Sequence, residues 1–120
     1  MDQLPQPPEQ AMLYEDEFLY ACLASYPLTT GHTVVVWKSD KKDIHELSKA
    51  EYSHLMSVVE RMRDKLLTEL GVEKVYLMYM DEIEHVHWHL IPRYDEQGYN
   101  VLKHKPKLTD DFTLASRLSL

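Results

Sequence analysis

The sequence is poor in cysteine and glycine, and it contains no long hydrophobic run. Cys22 is the only cysteine, which excludes an intramolecular disulfide and gives no sign of a secreted disulfide framework or a zinc ribbon. Three glycines are too few for a Gly-rich phosphate-binding loop. The longest apolar stretches have the length of a strand, far short of the roughly 20 residues that cross a bilayer, and the amino terminus lacks a basic start followed by an apolar core. We therefore expect a soluble, cytoplasmic protein without a membrane partner.

Basic residues are also scarce. Lysine and arginine number 13 against 20 aspartates and glutamates, so the net charge is -7. Nucleic-acid polymers are usually bound by a basic face that neutralises phosphates, and this charge balance argues against such a partner. Local cations would have to hold any small ligand that carries phosphate.

The chain of 120 residues fits one domain with a short tail. Residues 1–10 contain three of the six prolines, and this composition buries too little apolar surface to offset the entropy of ordering. We predict a flexible Pro-rich tail over residues 1–10 and a folded domain over residues 11–120. Within the domain, apolar runs at 12–14 and 18–23 flank an acidic turn and predict a hairpin. The β-branched run at 33–37 predicts a mostly buried strand.

One long helix is predicted between Ser48 and Gly71. Apolar residues recur there at helical spacing, Ser48 and Glu51 form a capping-box pair, and Gly71 supplies the stop. Residues 75–80 follow as a strand candidate.

The carboxyl-terminal segment gives weaker signals. Gly98 and Asn100 indicate a turn. Residues 109–118 predict a short helix capped by Thr109 or Asp110.

His85, His87 and His89 occupy every second position of one run. In an extended strand their three imidazoles project from one face, and the three apolar residues at 86, 88 and 90 project from the other. Histidine has the unperturbed pKa closest to neutrality, so such a row offers a nitrogen nucleophile and a proton donor in one patch. The run therefore predicts a reaction centre on a strand.

Two kinds of chemistry fit this row. In nucleophilic catalysis the central imidazole attacks an electrophile while a flanking imidazole assists the leaving group. In a metal site, two histidines would bind an ion together with a ligand from Asp81, Glu82 or Glu84. Same-face neighbours on a strand lie roughly 7 Å apart, so the outer two of three are about 13 Å apart and do not easily complete a tetrahedron with the middle one. Both interpretations remain open from the residues alone.

The row and its surroundings resemble the histidine triad (HIT) family. Residues 85–91 read His-Val-His-Trp-His-Leu-Ile, followed by Pro-Arg, and match the family signature of three histidines alternating with apolar residues. Upstream, residues 27–32 read Pro-Leu-Thr-Thr-Gly-His and lead into the strand at 33–37, which is similar to the proline, Gly-His and strand of the family. Residues 44–47 resemble its usual approach to a long helix. The resemblance spans residues 12–93.

The resemblance implies an α+β fold in which an antiparallel sheet of about five strands carries one long helix, with the shorter helix following, and assembly as a homodimer. It further implies a nucleotidyl hydrolase or transferase, of the diadenosine polyphosphate hydrolase type, that acts at an α-phosphate without a metal or other cofactor. By position, His87 would be the nucleophile that forms a nucleotidyl-histidine intermediate, and His89 would contact the phosphate and the leaving group. His85 and His32 would orient the centre.

The chain departs from the family pattern at two places. The loop before the triad is short and carries carboxylates, where the family has Asn, Gln and Ser or Thr donors for the phosphate. Ionised carboxylates only accept hydrogen bonds, and they repel a phosphate at close range. Ala24 stands where the family places an Asp or Asn for the ribose hydroxyls.

These departures leave two interpretations open. In the first, the protein is an enzyme on a nucleotide-like phosphate substrate, with Arg93 and Lys38 as the expected substrate-binding cations. Further candidate cations are Lys41, Lys42, Lys103 and Lys105. In the second, the fold serves as a binding or interaction module with little turnover.

Overall fold

The structure is a computed structural model that describes residues 7–120, and it is built on one antiparallel sheet. The strands are β1 (Met12–Glu15), β2 (Leu19–Leu23), β3 (Thr33–Trp37), β4 (Lys74–Tyr79) and β5 (His87–Arg93). Their order in the sheet is β1-β2-β3-β5-β4, and all neighbours are antiparallel. A long helix and a short carboxyl-terminal helix complete the fold. The predicted α+β class with about five strands is confirmed.

The long helix, α1 (Lys49–Leu70), begins and ends where the sequence predicts. Ser48 Oγ accepts a hydrogen bond from the Glu51 amide, and the Glu51 carboxylate accepts one from the Ser48 amide, which satisfies two free donors of the first turn. At the other end Gly71 adopts a φ of 64°, and its amide donates to the Leu67 carbonyl. One stripe of the helix is buried, consisting of Leu55, Val58, Val59, Met62 and Leu66.

The core lies between α1 and one face of the sheet. Val35 and Trp37 of β3 and Leu90 of β5 are fully or almost fully buried in the same cluster as the helix stripe. Burying a large apolar side chain is worth about 1.5–3 kcal/mol, so this contact surface holds the sheet to the helix. Because side chains alternate along a strand, the residues between these core positions point to the opposite face.

The histidine strand begins later than the sequence pattern predicts. His85 precedes β5, and the chain turns just before it: the Glu84 amide donates to the Asp81 carbonyl, and Glu84 has a φ of 54°. Val86 is held apart from the regular ladder, because its amide donates to the Lys41 carbonyl. Only two of the three histidines therefore lie on the strand.

Both ends of the described chain also differ in detail from the sequence patterns. A 3₁₀ helix, Glu9–Ala11, precedes β1, and Ala11 is fully buried; residues 1–6 of the predicted tail lie outside the described residues. A second 3₁₀ helix, Gly98–Lys103, forms where a turn is predicted.

The carboxyl-terminal helix is shorter than predicted. Helix α2 (Ala115–Leu118) covers only the end of residues 109–118 and has no side-chain cap. The prediction that Thr109 or Asp110 caps it is wrong, because the hydroxyl of Thr109 instead accepts a hydrogen bond from the Asp111 amide in a local turn. Across residues 7–120, none of the helices combines the length and the apolar character that a bilayer crossing requires.

Candidate active site

His87 and His89 lie side by side on the face of the sheet opposite α1. In the ladder His87 faces Val36 and His89 faces Val34, both on β3. Between the two histidines and on either side of them, Val86, Trp88 and Leu90 pack into or against the core, as the alternation predicts. The imidazole centroids of His87 and His89 are 5.0 Å apart and the rings are nearly perpendicular. Strand β5 thus presents two rings to one small region of the sheet surface.

A chain of hydrogen bonds from Leu28 through His32 to His89, called the relay below, fixes the proton positions on His32 and His89. The Leu28 amide donates to His32 Nδ1 at 3.0 Å, so this nitrogen carries no proton. The proton of neutral His32 is therefore on Nε2, which lies 3.0 Å from His89 Nδ1 and donates to it. His89 Nδ1 is then an acceptor, and its own proton is on Nε2. His89 consequently offers an N–H group at the tip of its ring.

His87 has the opposite tautomer. Its Nδ1 is 2.7 Å from the His85 carbonyl, and since a carbonyl only accepts, this nitrogen carries the proton. In the neutral ring Nε2 then has a free lone pair. His87 is buried as a whole. Its Nε2 is nevertheless not one of the fully enclosed, unpartnered side-chain atoms found within residues 7–120. The structure therefore pairs a lone-pair nitrogen on His87 with an N–H group on His89.

His85 contacts this pair through its backbone and not through its ring. Its Nε2 donates to the Trp37 carbonyl at 2.5 Å, which joins the segment before β5 to the end of β3. Its Nδ1 is enclosed without a partner among the described residues. Its backbone carbonyl is the group that accepts the hydrogen bond from the His87 ring.

Burial keeps the His32 and His89 rings neutral at physiological pH. Burial, and secondarily the neighbouring His89, lowers the pKa of His32 to about 3. The pKa of His89 falls to about 4, mainly through burial and secondarily through the nearby His87. Both rings therefore act as neutral hydrogen-bonding groups.

The structure places the two expected substrate-binding cations differently. Lys38 follows β3 two positions after Val36, the residue opposite His87, and its Nζ lies 2.7 Å from Glu15 Oε2. Arg93 ends β5 four positions after His89, about 13 Å along the strand, and its guanidinium lies 3.6 Å from Glu73. The structure pairs both cations with carboxylates, Lys38 with Glu15 on β1 and Arg93 with Glu73, and β1 is separated from the histidine strand by β2 and β3.

The other candidate cations are not gathered at the histidines. Lys41 contributes its carbonyl to Val86, and Lys42 is exposed. Lys103 lies over the Tyr99 ring at 4.7 Å, and Lys105 is exposed on the carboxyl-terminal segment.

The carboxylates before β5 do not form a metal centre with the histidines. Within residues 7–120, no group of three or more histidine, cysteine, aspartate or glutamate side chains has an arrangement that would hold an ion. Asp81 instead accepts a hydrogen bond from Tyr79 at 3.3 Å, and Glu82 and Glu84 are exposed. The geometry gives the metal interpretation no support.

A cavity of about 350 Å³ lies between His32 and the carboxyl-terminal segment of the chain. Ala24 lies on its wall, together with Thr109 and Asp111 from the last segment of the chain. The segment is held there by a hydrogen bond from the Thr109 amide to the Ser25 carbonyl at 2.8 Å. The position of Ala24, where the family has a polar residue, thus borders open space next to the relay.

Sequence reasoning missed the backbone groups that set the tautomers. The Leu28 amide and the His85 carbonyl decide which nitrogen of each ring is protonated, and no side-chain pattern signals either of them. The Pro27-to-His32 motif locates the right loop, but the contact between its amide and the ring depends on the path of the loop in space.

Comparison with known proteins agrees with this architecture. The HIT domain profile matches residues 7–96. The chain belongs to the HIT domain family. An uncharacterised HIT-like protein of Methanocaldococcus jannaschii is 31% identical over 93 residues, which cover 72% of this chain and 71% of that protein.

Two further HIT relatives have named activities. Adenosine 5'-monophosphoramidase of Saccharomyces cerevisiae is 28% identical over 88 residues, covering 72% of this chain but only 56% of the yeast enzyme. The structure of diadenosine triphosphate hydrolase from Plasmodium falciparum superposes with a TM-score of 0.70 at 17% identity, covering 82% of this chain and 71% of that one. The superposition shows that the two proteins share the HIT fold.

Proposed function

We propose that this HIT protein is a nucleotide-processing hydrolase or nucleotidyl transferase that cleaves a phosphoramidate or phosphoanhydride bond at an α-phosphate. The observation that carries the proposal is the pairing of tautomers: His87 Nε2 has a lone pair, and His89 Nε2 has a proton, on rings 5.0 Å apart. The named activity of the yeast relative, a monophosphoramidase, supports the same bond type.

The first chemical step forms a bond between His87 Nε2 and phosphorus. As the bond from phosphorus to the leaving nitrogen or oxygen breaks, the His87 ring becomes cationic, and its Nδ1–H group keeps donating to the His85 carbonyl, which stabilises the charge. His89 stays neutral, because its Nδ1 accepts the proton that His32 donates, and its Nε2–H group donates a hydrogen bond to the leaving atom. The leaving group takes its proton from water as it departs.

The second step reverses these roles with a new acceptor. Water, or another hydroxyl in a transferase, attacks the phosphorus and loses its proton to bulk water, which restores the proton that the leaving group took in the first step. The bond between phosphorus and His87 breaks, and the ring leaves as neutral imidazole with its lone pair restored. Both histidines thus end each cycle in the state in which they began, so no metal or other cofactor is needed in this scheme.

Lys38 is the cation that we assign to the substrate phosphates. In the structure its ammonium group lies 2.7 Å from Glu15 on β1, and its side chain is about one third exposed. To bind a phosphate at the histidines this exposed ion pair has to open, which costs at most about 1 kcal/mol. Replacement of Lys38 by Met should therefore raise KM more than it lowers kcat.

The experiment that tests the proposal measures both turnover and the covalent intermediate. The protein is incubated with a panel of nucleoside phosphoramidates and dinucleoside polyphosphates, and rapidly quenched samples are weighed by mass spectrometry. We expect turnover and a nucleotidyl adduct on His87, both abolished by His87→Ala. His45→Ala is the matched control, because His45 is exposed and lies far along the chain in the approach to α1.

Two results would contradict the proposal. If His87→Ala reduces turnover only a few-fold, His87 is not the nucleophile. If the wild-type protein binds these compounds without cleaving any of them, the alternative of a binding module is favoured, and the exposed carboxylates of Glu82 and Glu84 before the strand would be its physical reason.

Assembly as a homodimer is part of the same proposal. Strand β4 is an edge of the sheet, with backbone groups on its outer side that have no partner strand among residues 7–120. Leu77 on this strand and Met80 just after it are 40% and 46% exposed, which is apolar surface that a second copy would cover. Sedimentation equilibrium at micromolar concentration should give twice the mass of the chain.

A further inference from the structure

The proton arrangement of the histidine pair depends on one irregular loop. The loop spans residues 27–31, between β2 and β3, and contains no helix or strand. Its Leu28 amide is the group that excludes a proton from His32 Nδ1. If this amide moved away, His32 could carry its proton on either nitrogen, and the N–H group on His89 would no longer be enforced.

Two side-chain hydrogen bonds tie this loop to the histidine strand. The Thr29 hydroxyl donates to the Pro92 carbonyl at 2.7 Å, and the Tyr94 hydroxyl donates to the Thr30 carbonyl at 2.6 Å. Pro92 lies on β5 and Tyr94 immediately follows it, so both bonds join the loop to the strand that carries His87 and His89. The Leu28 amide that donates to His32 and the Nδ1 of His89 that accepts from His32 are thereby held in a fixed position relative to each other.

Packing alone does not hold the loop in this position. A cavity of about 410 Å³ borders its outer side, lined by residues 27–30 and by Tyr94. The Thr30 side of the loop is exposed, and Tyr94 is itself 43% exposed. A loop that faces open space on one side depends on its specific hydrogen bonds for its position.

We propose that Thr29 and Tyr94 are positioning residues for the reaction: by clamping the loop to β5 they keep the Leu28 amide on His32 and so maintain the N–H tautomer of His89. The inference rests on the proposed function, since it concerns the N–H group that donates to the leaving atom in that reaction. Neither residue touches the reacting atoms. Their hydroxyl groups act through Leu28 and His32.

The direct test is the tautomer of each histidine, read without any turnover. Long-range proton–nitrogen correlation NMR on protein labelled with ¹⁵N-histidine distinguishes a protonated ring nitrogen from a bare one. In the wild-type protein at neutral pH we expect His32 and His89 both to carry the proton on Nε2. In the double variant Thr29→Val, Tyr94→Phe, which removes only the two hydroxyl groups, we expect both rings to show a mixture of tautomers.

The kinetic test uses the same double variant. We expect kcat to fall about tenfold, equivalent to about 1.4 kcal/mol of transition-state stabilisation, with KM nearly unchanged because the phosphate-binding groups stay in place. The matched control is Thr68→Val, Tyr99→Phe, which changes an exposed helix residue and a tyrosine that is 70% exposed. This control should leave both tautomers and kcat unaltered.

The outcomes separate this inference from the proposed function. Pure Nε2–H tautomers in the double variant would overturn the positioning role, as would a wild-type His32 that carries its proton on Nδ1. A tautomer shift in a protein that cleaves no nucleotide would support the clamp and defeat the proposed function instead. If the double variant does not fold, the single variants Thr29→Val and Tyr94→Phe give the same readout separately.

Discussion

The buried relay predicts that this protein loses stability steeply between neutral pH and pH 5. In the unfolded chain a histidine takes up a proton near pH 6.5, whereas burial lowers the pKa of His32 to about 3 and of His89 to about 4 in the folded protein. Below pH 6.5 the unfolded state therefore binds more protons than the native state. The free energy of unfolding is highest above this pH and falls as the pH drops towards the folded values.

The magnitude follows from the size of these shifts. Each histidine that is protonated only in the unfolded state costs about 1.4 kcal/mol per pH unit, which amounts to about 2 kcal/mol between pH 7 and pH 5. The two together cost about 4 kcal/mol, a large share of the roughly 5–15 kcal/mol by which domains are stable. Most carboxylates remain ionised over this range, so the histidines dominate the change.

The variant His89→Gln isolates one of the two contributions. Glutamine does not titrate, and its carbonyl oxygen can accept the proton that His32 donates, so the variant should lose about 2 kcal/mol less than the wild type between pH 7 and pH 5. Urea unfolding followed by the fluorescence of Trp37 and Trp88, at one fixed protein concentration, gives the difference directly. The comparison uses the change with pH, so any loss of packing in the variant cancels.

His45→Gln is the control for this measurement. A hydrogen bond and an ion pair with Asp43 raise the pKa of His45, and its side chain is 78% exposed. Its contribution has the opposite sign, because a raised pKa stabilises the fold at low pH and the effect is lost as the pH rises. Removing His45 should make the acid loss slightly steeper. Equal pH dependence in wild type and His89→Gln would refute the claim that the relay is neutral because it is buried.

Two further predictions concern residues that support the site. Gly31, just before His32, has a φ of 90°, and an added Cβ would lie 2.7 Å from Leu70, whereas an added Cβ at Gly71, with a φ of 64°, would meet nothing within 4 Å. Gly31→Ala should therefore lower the thermal midpoint by at least about 4 °C more than Gly71→Ala does. Equal losses in the two variants would contradict this. Asp16 accepts four hydrogen bonds, which outweigh its burial and lower its pKa to about 2. Asp16→Asn should therefore lower the free energy of unfolding by about 2 kcal/mol at pH 7, and this loss should shrink as the pH falls from about 4 to 2. In the same urea-unfolding assay the exposed control Asp64→Asn should cost less than about 0.5 kcal/mol.

Elements with a strong local pattern could be predicted from the sequence. Helix α1 has its cap at Ser48, its stop at Gly71 and an apolar stripe between them, and all three are in place. The stripe is imperfect, since Tyr52 fits the helical period but is 43% exposed, while Val58, directly beside Val59, is also buried. Period alone does not say where the sheet ends, and the helix extends beyond the surface that covers it.

The start of the histidine strand could not be predicted. The alternation of apolar and histidine residues begins at His85. The residue before it, Glu84, adopts a left-handed backbone conformation, and the chain turns there. Glycine or asparagine usually marks such a turn, and here a glutamate occupies it without any local signal. The hydrogen bonds of Val86 to Lys41 and of Trp37 to Val86 come from distant parts of the chain, and they outweigh the local preference.

The chemistry of the site is equally invisible in the motif, because its rings are chemically the same. What distinguishes His87 from His89 is the group that each Nδ1 meets: a carbonyl in the first case, and an N–H group at the end of a chain that begins at Leu28 in the second. A carbonyl requires a proton on Nδ1 and frees the lone pair of Nε2, whereas a donor requires the reverse. The motif supplies interchangeable rings at the correct spacing, and two backbone groups, an acceptor before β5 and a donor in the loop before β3, leave one of them with a lone pair on Nε2 and the other with an N–H group there.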